Sequence, residues 1–540
     1  MKSRIALLFA VVLSCWNLVS LAAADRPDPA AAVRQAQAST TDHSKLEALQ
    51  GPFKTGPEVT KACLSCHNNA SHQVMDSIHW SWEAINPATG KTLGKKWAAN
   101  NFCGSPLSNE PRCTSCHAGY GWEDQRFDFS DETRVDCLAC HDTTGTYRKF
   151  PTDAGHPLYE AREYEPMEGP PGKKLFQPPN LTHIAQHVGK PGRANCGSCH
   201  FSGGGGDAVK HGDLDSSLKD PPRSLDVHMS KDGANLGCPD CHTFNAHQPS
   251  GSRYAANPKD SHGFDLPHDD HNRATCESCH GLAPHPQARL NHHVDKVACQ
   301  SCHIPAFARG GIATKTLWDW STAGKMDADG KPLFVKDEQG HLSYSASKGD
   351  FAYGENVRPV YKWYNGIVNQ VTILDKIDDS KLLELNSVEG GYDDPRARIW
   401  PFKEMRGKQA YDKVNKTLVV NHVYGDDDTA LWKNYDFAKA IRAGMEYAEL
   451  PYSGEFDFIE TRMNWFITHM VAPKEQAVGC AECHTRAADG RLAELTDFYL
   501  PGRDRKDWLD VLGSILIAAS IGGGLLHGLL RILTRRRQED

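Results

Sequence analysis

Long apolar runs in this 540-residue chain are confined to its two ends. Residues 1–24 read MKSRIALLFAVVLSCWNLVSLAAA: Lys2 and Arg4, an apolar core, then small residues before Asp25, the pattern of a secretory signal peptide. A second reading takes VLSC as a lipoprotein site acylated at Cys15, for which Trp16 is a poor follower. At the other end nothing between Val511 and Leu530 is charged; those 20 residues are enough to cross a bilayer core, and Arg531 and Arg535 to Arg537 follow at once. We therefore expect a transmembrane helix over 508–533 and a cytoplasmic tail over 534–540. The positive-inside rule then leaves the body on the periplasmic side of the bacterial inner membrane, held by a single-pass C-terminal anchor. An amphipathic docking helix is the alternative, but the segment has no polar face.

Between the ends the pattern is broken. Residues 25–55 are polar and Ala-rich and read as a flexible lead-in to a body over 56–505. The 46 Gly and 31 Pro predict short helices separated by long loops. Helical spacing is clear in KNYDFAKAIRAGMEYAELPYS. The glycine-rich FSGGGGDAVKHGDLDSS at 201–217 lacks a phosphate-loop Lys-Ser/Thr and reads as backbone passing close to a large group. A formal net charge of −8 with no basic cluster in the body argues against nucleic acid as a partner.

The cysteines change the picture. Of 18, sixteen fall in eight Cys-x-x-Cys-His motifs. In chain order these are Cys63, Cys66 and His67; Cys113, Cys116 and His117; Cys137, Cys140 and His141; Cys196, Cys199 and His200; Cys238, Cys241 and His242; Cys276, Cys279 and His280; Cys299, Cys302 and His303; Cys480, Cys483 and His484. Two thiols three positions apart reach the two vinyl groups on one porphyrin edge, and the adjacent histidine ligates the iron: c-type haem attachment. A disulfide framework or zinc sites would not need a histidine after every second cysteine. Seven motifs occupy 63–303; the interval 304–479 has none and ends at the eighth, so we expect that excursion to pack across the haem body. Eight covalently bound haems c would fill much of the interior, and the fold class expected is a multihaem cytochrome c, mainly α with extensive loops wrapped around the haems.

Bis-histidine ligation would draw distal donors from the histidines outside the motifs. Candidates near motifs are His79, His187, His211, His228, His247, His285, His293 and His469, and their pairing with particular haems stays open. His527 lies within the apolar C-terminal segment beside Gly522 to Gly524. It would suit a haem b shared with a membrane partner, or a quinone contact; an interfacial histidine is the alternative.

With these motifs in view, the long motif-free interval, CLACHDTTGTY, CHFSGGGGDAVKHGDLD, VACQSCHIP and NWFITHMVAPKEQAVGCAECH resemble the octahaem tetrathionate reductase family of periplasmic cytochromes c, related to hydroxylamine oxidoreductase and pentahaem nitrite reductase. The likeness spans about residues 55–490 and stops short of the C-terminal helix. It implies that seven haems relay electrons and that the haem of the second motif has lysine as distal ligand. That lysine falls between the third and fourth motifs, where this chain has Lys149, Lys173, Lys174 and Lys190; we favour Lys190, in HVGKPGRANCGSCH, with Lys149 second. The resemblance also implies a cysteine beside the active haem, and Cys103 alone can match it; a buried thiol acting as a small hydrophobe is the bland alternative. The function expected is a respiratory reductase of tetrathionate, nitrite or hydroxylamine, fed by a membrane cytochrome b or quinol dehydrogenase. The alternative is a non-catalytic haem wire with every haem closed.

Overall fold

The computed structural model describes residues 41–86, 88–102, 104–165, 172–251 and 274–536. The signal segment with Cys15, Cys103 and the end of the tail lie outside them.

The motif-bearing region is built from helical turns. Helix α1 (Gly56–Leu64) starts at a capping box between Thr55 and Glu58 with Pro57 in its first turn, and it delivers Cys63 at its end. Helix α2 (Cys137–His141) is the third motif itself; Asp136 caps it by accepting from Ala139 N at 3.0 Å. Helices α3 (Arg193–His200) and α4 (Cys299–His303) carry the fourth and seventh motifs in the same way. One helical turn puts residues i and i+3 on one face, so each Cys-x-x-Cys presents both sulfurs in the same direction.

The lead-in is not free over its described part. Leu49 is buried with Val59, Leu138, Leu181 and Ile184, and Gln186 Nε2 donates to Leu49 O at 3.0 Å. Residues 41–55 thus belong to the packed body, because their few apolar side chains meet α1.

The motif-free excursion corrects the expectation of a mainly α fold. It holds a nine-stranded sheet: β1 (Thr314–Asp319), β2 (Phe334–Lys336), β3 (Leu342–Ser345), β4 (Gly349–Gly354), β5 (Val360–Tyr364), β6 (Leu383–Glu384), β7 (Arg398–Asp412), β8 (Thr417–Leu418) and β9 (Phe456–Phe466). The order is β6-β9-β7-β1-β4-β3-β2, with β5 and β8 also paired to β7. The 15-residue β7 is the spine, running antiparallel to β9 from Phe402↔Phe466 to Asp412↔Phe456 and parallel to β1 at Arg406↔Leu317. Both faces of β7 are covered, which is why it reads as no simple alternation.

The sheet is bolted to the motif-bearing region. Phe102 and Val209 join Trp318, Met405 and Trp465 in one apolar cluster. Asn101 Nδ2 donates to Met405 O at 2.7 Å, Ala298 N to Ile399 O at 3.0 Å and Ser301 Oγ to Ile399 O at 2.7 Å. Arg398 forms a buried ion pair with Glu277 of the sixth motif.

Helix α5 (Phe437–Tyr447) confirms the helical spacing read in the sequence and buries Ala440, Ile441, Gly444 and Met445. A Cβ at Gly444 would sit 2.2 Å from Val420 O, so only glycine lets the helix approach this closely. Helix α6 (Asp507–Arg536) is long and apolar enough over Asp507–Thr534 to cross a membrane, with Leu525 and its neighbours exposed.

Candidate haem sites and the second motif

Seven motif histidines are each faced by another histidine. Ring centroids are 6.3 Å apart for His43 and His67, 6.4 Å for His141 and His247, 6.2 Å for His79 and His200, and 6.2 Å for His242 and His469. They are 6.0 Å apart for His228 and His280, 6.0 Å for His285 and His303, and 6.1 Å for His293 and His484. Two metal–nitrogen bonds of about 2 Å, each with roughly 1 Å more to the ring centroid, predict about 6 Å for two imidazoles on one iron. A stacked or edge-on ring pair can reach such a distance, but seven pairs of differing ring orientation all lie between 6.0 and 6.4 Å, and that common spacing fits a haem iron between each pair.

The competing uses of these residues do not fit. The sixteen motif cysteines are free thiols, and among the described residues no group of three or more His, Cys, Asp or Glu could hold a metal ion. Arg398 adds a second sign of a further group: it is 2% exposed, yet its Nε and Nη2 have no partner. A buried guanidinium left with idle donors suits a haem carboxylate.

The motif sulfurs are not uniformly enclosed by protein. Cys66, Cys140 and Cys480 are exposed, whereas the other thirteen are half-buried. In the first motif, Cys66 N and His67 N donate to Cys63 O at 3.1 and 2.9 Å, so the turn runs on past the end of α1 and sets Cys66 one turn beyond Cys63. Exposure separates Cys66 from a structural thiol packed in a core, since a sulfur open on one side is what a haem vinyl group must reach. The contrast between Cys63 and Cys66 was not legible in the motif, which treats its two cysteines alike; it arises because Cys63 packs against the apolar cluster around Val59 and Leu138.

Six of the distal donors expected from sequence, His79, His228, His247, His285, His293 and His469, take part in these pairs. His187 and His211 do not supply the pairs found. His187 packs on His183 at 4.1 Å with its Nδ1 2.7 Å from His183 O, and His211 lies edge-on to Trp465 at 5.2 Å. The facing histidine that the sequence did not single out is His43. The first motif has no other upstream histidine in the body, which was the available signal.

The motif sulfurs also fall into a connected arrangement. Cys63 neighbours Cys137, Cys116 neighbours Cys199, Cys196 neighbours Cys238, and Cys276 neighbours Cys299. Cys140 lies near Cys196, Cys241 near Cys279, and Cys302 near Cys483. The fourth motif is therefore a junction, meeting the second, third and fifth, and the path continues through the sixth and seventh to the eighth.

The second motif differs from the rest. His117 is 1% exposed and sits in an aromatic box: Trp122 at 4.9 Å, Trp80 at 5.0 Å, Phe127 at 5.5 Å, Trp82 at 5.6 Å and Phe129 at 6.3 Å. Its Nε2 is 2.7 Å from Trp80 O, and its Nδ1 is buried without a partner. Burial first, and then the Lys149 charge, push its pKa down to about 3, which keeps the ring in the neutral form that ligates metal.

Lys149, ranked second in the sequence reading, is the lysine brought here. Its Nζ donates to His117 O and, at 3.1 Å, to Gly119 O, and it pairs at 3.0 Å with Asp136, whose side chain is fully buried. Asp136 also accepts from Tyr120 at 2.7 Å and Tyr147 at 2.8 Å. Burial and then the Asp136 charge hold both phenols well above their usual range, so they remain donors. Lys190, the favoured lysine, is half exposed and paired at 2.6 Å with Asp240 of the fifth motif.

Known proteins give the same picture. The family model described as bacterial cytochrome c matches residues 315–487, which is most of the sheet region through the eighth motif. No curated protein sequence matches the chain. A solved structure, an octaheme cytochrome c from Shewanella oneidensis, is 42% identical and covers 85% of this chain and 97% of its own, with a TM-score of 0.72. With that identity over nearly the whole of the relative, and with Cys-x-x-Cys-His anchors opposed by histidines, the chain belongs to the multihaem cytochrome c family and holds haem c covalently.

Proposed function

We propose that this chain is an eight-haem reductase in which seven haems relay electrons and the second-motif haem is the site of reaction. The observation that carries the reading is the contrast at the second motif: seven motif imidazoles are opposed by imidazoles, whereas here Lys149 donates to the His117 backbone carbonyl and pairs with Asp136. When bound there, haem would supply single electrons and an exchangeable coordination position. His117 would hold it from the motif side, and the Lys149 side chain, which reaches this motif, would supply the second ligand. An amine held this way is displaced more readily than a packed imidazole.

The surroundings serve reduction. Tyr120, Tyr147 and Lys149 converge on Asp136 and keep protons within a buried cluster, while the aromatic box excludes bulk water. His156 extends the cluster: its ring stacks on Tyr120 at 5.6 Å and its Nδ1 is 2.7 Å from Tyr159 Oη. Small oxidised species that need electrons and protons together, tetrathionate, nitrite or hydroxylamine, are the substrate class. For tetrathionate, the Cys103 thiolate would attack a central sulfur and expel thiosulfate; two electrons would then release the second thiosulfate and restore the thiolate. Helix α6 would anchor the body to the inner membrane on its periplasmic side, beside a cytochrome b or quinol dehydrogenase as donor, with His527 available to a shared haem b.

The test is oxidation of reduced methyl viologen by the full-length holoprotein, with tetrathionate, nitrite and hydroxylamine in parallel. Turnover with at least one substrate is expected, and its loss in Lys149→Met places the reaction at the second motif. A fully haem-loaded protein inactive with all three would establish the haem wire instead.

A further inference from the structure

The imidazoles that face one another across the haem positions differ in what holds their Nδ1 atoms. Nδ1 of His141 is 2.8 Å from Gly189 O, that of His242 3.0 Å from Ser250 O, that of His293 2.9 Å from Arg289 O and that of His484 2.7 Å from Pro501 O. Amide oxygens serve two more: Gln73 Oε1 is 2.8 Å from His247 Nδ1 and Asn291 Oδ1 is 3.3 Å from His285 Nδ1. All these acceptors are neutral.

His469 is the exception among the hydrogen bonds described. Its Nδ1 is 3.1 Å from Asp213 Oδ2 and also 3.1 Å from Thr468 Oγ1, and of these only Asp213 can carry a charge. Asp213 is 1% exposed, and the same oxygen accepts from Thr468 N at 2.7 Å and His469 N at 3.0 Å, which fixes the carboxylate against the ring. The other oxygen, Oδ1, is buried with no partner. Leaving one carboxylate oxygen bare in a dry site is costly and makes the occupied oxygen a strong acceptor. The sheet brings a second buried ionisable group beside it, whose pKa burial pulls down to about 7. Lys403 of β7 is fully buried near Asp213, and its Nζ donates to Val209 O at 3.0 Å, Lys210 O at 3.1 Å and Thr314 Oγ1 at 2.6 Å. This pins the strand of chain that ends at Asp213.

A carboxylate that draws the Nδ1 proton from a ligating imidazole gives the ring histidinate character, raises its donor strength and stabilises the oxidised metal. We propose that Asp213 is a positioning residue that acts through His469 to make the fifth-motif haem the lowest-potential bis-histidine centre of the chain. The fifth motif adjoins the fourth-motif junction on one side and the sixth motif on the other. A low-potential centre there resists holding an electron and drives it onward, so the branch toward the second motif and the branch toward the eighth are separated by an uphill step.

The inference rests on His469 being the distal ligand of the fifth-motif haem. The experiment is potentiometric titration of the holoprotein, followed by electron paramagnetic resonance. In the native protein one low-spin signal should show the small maximal g value of histidinate-like ligation and belong to the haem that is reduced last. Asp213→Asn should raise that midpoint and that g value and leave the other haems in place, and Asp213→Glu should restore both in part. His469→Ala tests the ligand assignment separately, by converting one haem from low spin. If His469→Ala leaves every haem low-spin, the assignment falls; if it converts one while Asp213→Asn moves no midpoint, the inference about Asp213 alone is overturned. Should Asp213→Asn fail to load haem, absence of the small-g signal in the native protein overturns it equally.

Discussion

The second and fourth motifs lie side by side, with Cys116 next to Cys199, yet the chain equips them oppositely. At the fourth, His79 closes the far side of His200 at 6.2 Å. At the second, His117 is enclosed by tryptophan and phenylalanine rings, and a lysine, an aspartate and two tyrosines gather beside it. Attachment chemistry is identical in the two cases. What differs is the residue brought from elsewhere in the fold, and under the proposed function that residue would decide whether a haem only passes electrons or also meets a substrate.

The sharpest ways to break this comparison act on the second motif. Cys103→Ser is expected to abolish tetrathionate turnover, by a factor of at least about 100, with haem absorption unchanged; turnover at the native rate would remove the thiol from the mechanism. Lys149→Met should lower turnover about 100-fold, while Lys190→Met, which removes only the surface pair with Asp240, should change it less than about twofold. Equal effects of the two lysines would erase the distinction drawn between them. A closed haem can also be opened: His43→Ala should leave the first-motif haem with a vacant position, detected as one additional carbon monoxide bound per chain.

Smaller effects bear on the frame that holds the two motifs. Asp136→Asn leaves Lys149 charged and unpaired in a dry site and should cost about 3–5 kcal/mol in thermal or denaturant unfolding. Glu110, at the start of the turn leading to Cys113, is raised to about 7 by burial, with Tyr447 hydrogen-bonded to it at 3.0 Å. Its folded form binds a proton that the unfolded chain releases in the ordinary glutamate range. This contribution to stability is therefore complete at low pH and is lost as pH rises toward about 7. Glu110→Gln should flatten that part of the stability profile.

The sequence carried the anchors because each motif is contiguous and chemically complete within five residues. Six of the histidines that face motif histidines could be named from the sequence because most lie close to motifs. His43 was not, because a polar, Ala-rich segment gives no sign that Leu49 will bury and carry it to His67. The sheet was hidden by its own chemistry: β7 buries Arg398 and Lys403, so its polar residues imitate a solvated loop when they in fact reach back to Glu277 and to Val209. Lys149 and Lys190 could not be ranked by spacing, since what separates them is a tertiary partner, Asp136 for one and Asp240 for the other.

Carbon monoxide binding to the fully reduced, full-length holoprotein tests the central claim most directly. One carbon monoxide bound per chain, with the remaining haems low-spin and the stoichiometry abolished by Lys149→His, is the result predicted. No binding, or binding at several haems, would contradict the account, because either outcome would mean that the second motif is not set apart from the other seven.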